Sequence, residues 1–411
     1  MKIKSLHISN FRGLHNIDID ELDNQSNLFV GINGAGKSSI LDAVSCLLSR
    51  YTKRIVSLNG LGGNDIALDD VSITAKEGAT ISLTTDENVT WTLYRSREFV
   101  KEGKSDLSQL NQYLKEVRNQ IVHNPQTSLT VIAHYKVSRA VASIPLKIRK
   151  YKSTALPIEA YANALDGNAL FRDFFSWFRE EEDLENERIR DTRNYRDPGL
   201  EAIRKAMYSI FPEYTDMRVK RHPQSLQLRK GDKQLKLNQL SDGEKCYIAL
   251  VCDLTRRLTL ANPSLSDPLQ GEGIVLIDEI DLHLHPQWQL SVITKLTSTF
   301  PNCQFIFTTH SPIVASDTKG KVFGLEDGNI IPLRTFGRNA DTILAEIFRV
   351  PNPRNEFIQG LINDAYNAIH SNNHELFDMV MKKLQSFNVD ASYIVRINLE
   401  KVRWDKRHNE K

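Results

Sequence analysis

The sequence has few cysteines, no long apolar run and no excess of charge of one sign. Its 411 residues include four cysteines, whose spacings match no zinc pattern and form no CxxC pair. No apolar run approaches the ~18 residues that a membrane span needs, and the first residues lack the apolar core of a secretory signal. These absences predict a cytosolic protein with free thiols and no membrane contact.

The 53 basic and 51 acidic residues nearly cancel, so the overall charge favours no partner. Nucleic-acid binding would have to come from a local patch. One basic stretch without acidic residues is a candidate for such a patch. Its basic residues are Arg139, Lys147, Arg149, Lys150 and Lys152. Such a stretch could bind along a phosphate backbone or contact a partner protein. Equally, it could be a solvated surface loop, or it could pair with the acidic helix predicted near 180–187.

A complete phosphate-binding loop stands near the start of the chain. Residues 31–38 read GINGAGKS and fit G-x-x-x-x-G-K-[ST] without departure, between an apolar strand and a predicted helix. The glycines let backbone N–H groups curl around phosphate oxygens, Lys37 is expected to reach the β- and γ-phosphates, and Ser38 to offer its hydroxyl to Mg²⁺. The pattern predicts ATP and Mg²⁺ as ligands, with nucleotide contacts from Asn33, Gly34, Gly36, Lys37, Ser38 and Ser39.

A second acidic motif follows an apolar strand at residues 274–277. Asp278 and Glu279 come directly after it, at the edge of a parallel sheet where ligands bind. We expect Asp278 to hold Mg²⁺ and Glu279 to activate the attacking water. Alone, the motif would equally fit a strand that ends in a solvated acidic turn.

The segment 240–245 reads LSDGEK and precedes a long predicted helix. Ser241 and Glu244 form an S-x-x-E capping box, and a capped helix start beside a glycine is also an anion site. The segment resembles the LSGGQ signature of ABC-type ATPases, with Asp242 and Glu244 as departures typical of the RecF and SMC branch. The resemblance implies that this signature, formed by Ser241, Asp242, Gly243 and Glu244, binds the γ-phosphate of ATP held by a second copy of the chain, with Ser241 and Gly243 as the contacts.

The same resemblance covers residues 1–335 and implies further roles. His310, at the end of a buried strand, would sense the γ-phosphate, and Asp281 would lie in the D-loop at the dimer interface. The opening NFRG of residues 10–13 resembles RecF- and SMC-type heads, which makes Arg12 a candidate phosphate contact. No glutamine is assigned to the family's Q-loop. His283 and His285 lack a third ligand, so a metal pair there is disfavoured.

Alternating strands and helices predict an α/β fold with a largely parallel sheet. The resemblance implies that this fold is an ABC-type ATPase head with a mixed sheet and an N-terminal antiparallel subdomain. We expect four regions: a first ATPase lobe at 1–135, a helical and basic insert with connecting strands at 136–235, a second lobe at 236–335 and a helical tail at 336–411. The chain is too short between its motifs for the arms of SMC proteins.

Several stretches, among them residues 134–139 and 174–179, are similar to stand-alone bacterial ATPases of Septu-type and retron-linked antiphage systems. Proteins of that group usually act beside a separate HNH nuclease. The resemblance implies a slow ATPase that dimerises on ATP and controls a nuclease or toxin partner. Two alternatives stay open: a RecF-like repair ATPase that binds DNA directly, and an ATP-gated scaffold with little turnover.

Overall fold

The computed structural model describes residues 1–57, 59, 61–97, 103–137, 156–167, 171–222, 224–350, 355–387 and 391–409. These residues form two compact units, Met1–Ile343 and Leu344–Lys411. The basic stretch from Arg139 to Lys152 lies outside the described residues. None of the described helices is long and apolar enough to cross a membrane.

The described part of the chain forms strands and helices that alternate along much of the first unit. The strands are β1 (Ile3–Phe11), β2 (Leu14–Ile19), β3 (Ser26–Val30), β4 (Gly78–Thr85), β5 (Thr90–Ser96), β6 (Val131–Tyr135), β7 (Tyr214–Lys220), β8 (Ser225–Lys230), β9 (Lys233–Lys236), β10 (Gly273–Ile277), β11 (Cys303–Thr309), β12 (Lys321–Glu326) and β13 (Asn329–Leu333). The helices are α1 (Lys37–Val56), α2 (Ser108–His123), α3 (Phe171–Asp191), α4 (Pro198–Ile210), α5 (Asp242–Ala261), α6 (Pro286–Gln289), α7 (Val292–Thr299), α8 (Pro312–Asp317), α9 (Ala340–Glu346), α10 (Glu356–His370), α11 (His374–Ser386) and α12 (Ala391–Asn409).

The central sheet has six strands in the order β13-β12-β3-β11-β10-β6, parallel except for β13. Every residue of β3, β6, β10 and β11 is buried, which is typical of parallel strands covered on both faces. A separate antiparallel sheet has the order β2-β1-β4-β5, and a third has the order β7-β8-β9. The predicted fold class, a mixed α/β architecture with an N-terminal antiparallel sheet, is confirmed.

An ion cluster lies in the interior between α5 and β6. Asp253 is fully buried, and its carboxylate accepts hydrogen bonds from Arg257 Nε at 2.7 Å and from the Tyr135 hydroxyl at 2.9 Å. Arg257 in turn donates to the carbonyl oxygens of Ala160 and Ala162. Burial acts to raise the pKa of Asp253, but Arg257 and Arg256 lower it below its usual value. The cluster connects α5, the helix that begins within the LSDGEK segment, to β6, the strand beside β10.

Three local features of the fold were not predicted. Helix α1 continues to Val56, because Tyr51, Thr52 and Ile55 in its last turns are buried. The segment from Pro286 to Thr299 forms two short helices, α6 and α7. The hairpin of β12 and β13 was not expected, because its outer strand is largely exposed and shows no apolar alternation.

The second unit contains only helices among its described residues, as predicted. Its apolar core joins α10, α11 and α12 through residues such as Ile369, Leu384 and Ile397. The finer division of the first unit into lobes and an insert stays a prediction.

Candidate nucleotide-binding site

Four parallel strands end at one edge of the central sheet, and each is followed by a charged residue, a histidine or the phosphate loop. The register pairs Tyr135 of β6 with Ile277 of β10, and Ile277 with Phe307 of β11. Thr309 of β11 pairs with Val30 of β3. The phosphate loop, the Asp278–Glu279 pair, His310 and Lys136 therefore emerge side by side, at the edge where open α/β sheets bind ligands.

The phosphate loop folds around the Lys37 ammonium. Lys37 Nζ lies 2.9 Å from the Gly31 carbonyl oxygen, 3.0 Å from that of Ile32 and 3.4 Å from His310 Nδ1. Burial lowers the pKa of Lys37 to about 8, although the nearby carboxylates of Glu279 and Asp278 act in the opposite direction. The cation is thus held by backbone carbonyls at the point where phosphate oxygens would replace them.

The shape of the loop depends on its glycines. Gly36 has a φ of 102°, and a β-carbon there would lie 2.7 Å from Leu14 Cδ2. Gly31 is equally close-packed, since a β-carbon would lie 2.8 Å from the Leu325 carbonyl oxygen. Asn33 and Gly34 are exposed at the tip of the loop, and Ser39 is half-buried in the first turn of α1. The loop backbone therefore packs closely on Leu14 and Leu325 where only glycine fits, while its tip is exposed.

The Asp278 carboxylate lies between two hydroxyl groups. Ser38 Oγ donates to Asp278 Oδ1 at 3.0 Å, and Thr308 Oγ1 donates to the same oxygen at 2.5 Å. Hydroxyl and carboxylate oxygens are the ligands that Mg²⁺ prefers, so the donor set fits this ion. No cluster of three or more His, Cys, Asp or Glu ligands occurs within the described ranges. The pair therefore suits an ion that takes its remaining ligands from phosphate and water.

Glu279 has an unusual backbone conformation that Thr308 supports. Its φ is 45°, in the left-handed region that a non-glycine residue adopts at a cost. The Glu279 backbone N–H donates to Thr308 Oγ1 at 2.8 Å. One threonine hydroxyl thus fixes both Asp278 and Glu279. Thr308 was not predicted, although the Thr-Thr pair before His310 is visible in the sequence.

His310 lies between the phosphate loop and Glu279. Its Nε2 is 3.9 Å from Glu279 Oε1, and its Nδ1 faces Lys37. Burial and the Lys37 cation lower the pKa of His310 below its usual value. A neutral imidazole at this point can accept a proton or a hydrogen bond beside the phosphate loop.

The turn after Glu279 is anchored to the end of β11. Thr309 Oγ1 donates to Asp281 Oδ1, and Ser311 Oγ donates to Gln289 Oε1 at 2.7 Å. Gln289 Nε2 donates to the Leu284 carbonyl oxygen at 2.9 Å. The end of β11 and the residue that caps α8 therefore hold the turn that contains the predicted D-loop residue Asp281, Thr309 directly and Ser311 through Gln289.

Arg12 is engaged by two carboxylates at the rim of the site. Its guanidinium donates to Asp42 Oδ2 and to Asp70 Oδ1, each at 2.7 Å. Lys136 Nζ forms an ion pair with the other oxygen of Asp42 at 2.9 Å. Burial acts to raise the pKa of Asp42, but hydrogen bonds from Arg12 and Lys136 lower it below its usual value. Neither Asp42 nor Lys136 was predicted; Lys136 follows β6 as Asp278 follows β10.

The Ser241–Glu244 segment starts α5 with the predicted capping box. Ser241 Oγ accepts from the Glu244 N–H at 3.3 Å, and the Glu244 carboxylate accepts from the Ser241 N–H at 2.9 Å. Asp242 is exposed and pairs with Lys245 at 2.7 Å. No hydrogen bond among the described residues joins this segment to the phosphate loop of the same chain.

The model of a family described as "AAA domain, putative AbiEii toxin, Type IV TA system" matches residues 26–316. That range contains the phosphate loop, the LSDGEK segment, the acidic pair and His310, which is most of the chain. The chain belongs to this family.

This AAA-domain protein also has relatives that match it over most of its length. The Retron Ec83 probable ATPase of Escherichia coli is 29% identical, over 97% of this chain and 86% of the relative. The Retron Vc95 probable ATPase of Vibrio cholerae is 28% identical, over 88% of this chain and 82% of the relative. The Septu protein PtuA of Bacillus mycoides is 26% identical, over 92% of this chain but 46% of the relative. The predicted resemblance to these groups is confirmed, and the family and site together identify an ATPase.

Proposed function

We propose that the chain hydrolyses ATP slowly and uses ATP to hold two copies together, so that its nucleotide state controls a partner in antiphage defence. The assembled sheet edge is the observation that supports this. There, Lys37, Asp278, Glu279 and His310 lie close together, where a phosphate group bound at the loop would meet them. The antiphage role rests on similarity to the retron and Septu proteins.

In this proposal each residue at the edge has a separate task. The phosphate loop, with Asn33, Gly34, Gly36 and Ser39, binds the phosphates, and Lys37 neutralises their charge. Ser38 and Asp278 would hold Mg²⁺, which shields the β- and γ-phosphate oxygens when bound. Glu279 orients and polarises the attacking water, and His310 senses the γ-phosphate. Arg12 leaves its carboxylate partners to contact the nucleotide.

The two-copy arrangement is supported by the position of the Ser241–Glu244 segment. Ser241 and Asp242 are exposed at the start of α5 and make no described hydrogen bond to their own phosphate loop. A helix start with free backbone N–H groups binds anions, and the Asp242–Lys245 pair reduces the repulsion that Asp242 would exert on phosphate. The segment would therefore complete the site of a second copy, with Asp281 at the interface.

The partner in this proposal is a separate nuclease or toxin, such as an HNH nuclease. Closure of two heads on ATP would hold the partner in one state, and hydrolysis would release it. Direct DNA binding by this chain is the competing proposal, and ATP-dependent, salt-sensitive binding of DNA by the isolated protein would favour it.

The test uses Glu279→Gln, with Glu187→Gln on the exposed face of α3 as the matched control. We expect Glu279→Gln to bind MgATP with unchanged affinity, to lose turnover by about 100-fold or more, and to accumulate as an ATP-dependent dimer in light scattering. Lys37→Ala should abolish nucleotide binding and dimer formation together. Undiminished hydrolysis by Glu279→Gln would refute the role of Glu279, and a monomer at saturating ATP would refute the two-copy model.

A further inference from the structure

A cluster of arginines lies between α1 and α2, away from the phosphate loop. Arg54 of α1 donates to the Asn111 side chain of α2, and Tyr51 contacts Tyr113. Residue numbers fall along α2 as they rise along α1, so the two helices are antiparallel. Arg118, about two turns beyond Asn111 on α2, is close enough to Arg54 for its charge to lower the pKa of that guanidinium.

Two of these arginines are buried although they are cations. Arg50 and Arg54 are each 8% exposed, and their heads reach the Gly62 carbonyl oxygen, at 3.4 Å from Arg50 Nη1 and 3.1 Å from Arg54 Nε. The Nε atoms of Arg50 and Arg118 are buried and have no hydrogen-bond partner within the part of the chain that the structure describes. Buried donors of this kind normally have an acceptor.

The charge of the cluster is poorly compensated. Asp65 is the one carboxylate among the described residues that contacts it, and its side chain is 74% exposed. Burial lowers the pKa of Arg54, and repulsion from Arg50 and Arg118 lowers it further. Burying like charges together is costly unless an anion accompanies them.

The adjoining loop is shaped to lie close to the cluster. Gly62 and Gly63 have φ values of 125° and 108°, and a β-carbon on Gly63 would overlap Arg50 Cδ and lie 2.8 Å from its Cα. The loop backbone therefore packs directly against the Arg50 side chain, at positions where only glycine fits.

We propose that Arg50, Arg54 and Arg118 form a binding site for a phosphate group, separate from the nucleotide site. Planar guanidinium groups bind phosphate oxygens in pairs, and the negative charge of a phosphate group would offset part of the cluster's positive charge. Lys37 and Arg50 are 13 positions apart on α1, which places the new site about 20 Å along the helix from the phosphate loop. The phosphate belongs either to a nucleic-acid strand or to a free phosphorylated molecule.

The test compares wild type with Arg118→Gln. Arg118 holds no described partner, so its loss should spare the fold, whereas Arg50 also supports the loop. Arg190→Gln, on the exposed face of α3, removes the same charge elsewhere and serves as the control. All measurements use the full chain with saturating MgADP, so that the phosphate loop is occupied. The probes are inorganic phosphate, by titration calorimetry, and a fluorescein-labelled single-stranded oligonucleotide, by anisotropy.

We expect at least one probe to bind wild type and Arg190→Gln, and Arg118→Gln to bind it about tenfold more weakly with an unchanged melting temperature. If the oligonucleotide binds and inorganic phosphate does not, the site is assigned to a phosphodiester. The slope of log K against log salt concentration should then be smaller by about one in Arg118→Gln. Binding of inorganic phosphate alone assigns it to a small phosphorylated ligand. If neither probe binds wild type, or if Arg118→Gln equals wild type, the arginines only hold the Gly62 loop and the proposal is wrong.

Discussion

The carbonyl of His283 lies directly against Gly243, where no side chain fits. A β-carbon on Gly243 would overlap the His283 carbonyl oxygen and lie 2.9 Å from the carbonyl carbon. Gly243 is in the first turn of α5, and His283, with a φ of 61°, is in the turn after Glu279. The LSDGEK segment and the carboxylate turn of one chain are therefore in backbone contact, and a shift of either must displace the other.

Gly243→Ala should weaken the proposed contact between two copies of the chain while leaving nucleotide binding intact. The methyl group must push the His283 turn away, and overpacking of this kind costs about 1–3 kcal/mol of stability. We expect MgATP affinity to change little, and turnover and ATP-dependent dimerisation to fall by about tenfold or more. Gly360→Ala is the control, because a β-carbon there meets nothing within 4 Å. Wild-type turnover in Gly243→Ala would contradict the coupling.

Thr308→Val should reduce turnover while leaving nucleotide affinity nearly unchanged. The substitution removes the hydroxyl that donates to Asp278 and accepts from the Glu279 N–H. Hydrogen bonds to charged groups contribute about 1.5–3 kcal/mol, so kcat should fall by about 10- to 100-fold. Steady-state hydrolysis and equilibrium binding of a fluorescent ATP analogue separate the two effects.

Thr308→Ser keeps the hydroxyl and should retain most of the activity. If Thr308 only packed in the core, Thr308→Val should keep more activity than Thr308→Ser, because valine preserves the methyl packing that serine loses. Equal kcat values for the serine and valine variants would therefore exclude Thr308 as the residue that positions Asp278 and Glu279.

The contiguous motifs of the site could be predicted because their chemistry is carried by neighbouring residues. The phosphate loop and the acidic pair each follow an apolar strand, and parallel strands end at a common edge. The partners supplied by other segments could not be predicted, since nothing local links Asp42 to Arg12 and Lys136. The same holds for Gly243, whose close contact comes from a turn 40 positions away.

Asp42→Asn should tighten ATP binding if Arg12 contacts the nucleotide. Asp42 holds both Arg12 and Lys136, so its neutralisation frees two cations and removes a negative charge near the phosphates. We expect the MgATP Kd to fall by about 3- to 10-fold, equivalent to about 0.7–1.4 kcal/mol, with a larger effect at low salt. Asp69→Asn, next to the other carboxylate partner of Arg12, is the control. An unchanged Kd would indicate that Arg12 stays on Asp70 when ATP binds.

Asp253→Asn should destabilise the first unit, because it leaves Arg257, itself 1% exposed, without its counter-charge. Breaking a buried ion pair by removing one partner costs about 3–5 kcal/mol of stability.

The pH dependence of this effect follows from the pKa of Asp253, which is lowered in the folded protein. Its stabilisation is therefore complete above the unfolded pKa of about 3.9 and is lost as pH falls through the folded value. In urea unfolding, the difference in the free energy of unfolding between wild type and variant should be constant from about pH 8 to 5. It should become smaller only below about pH 4. The exposed Asp183→Asn should show no comparable gap, and a gap that narrows already near neutral pH would contradict a lowered pKa.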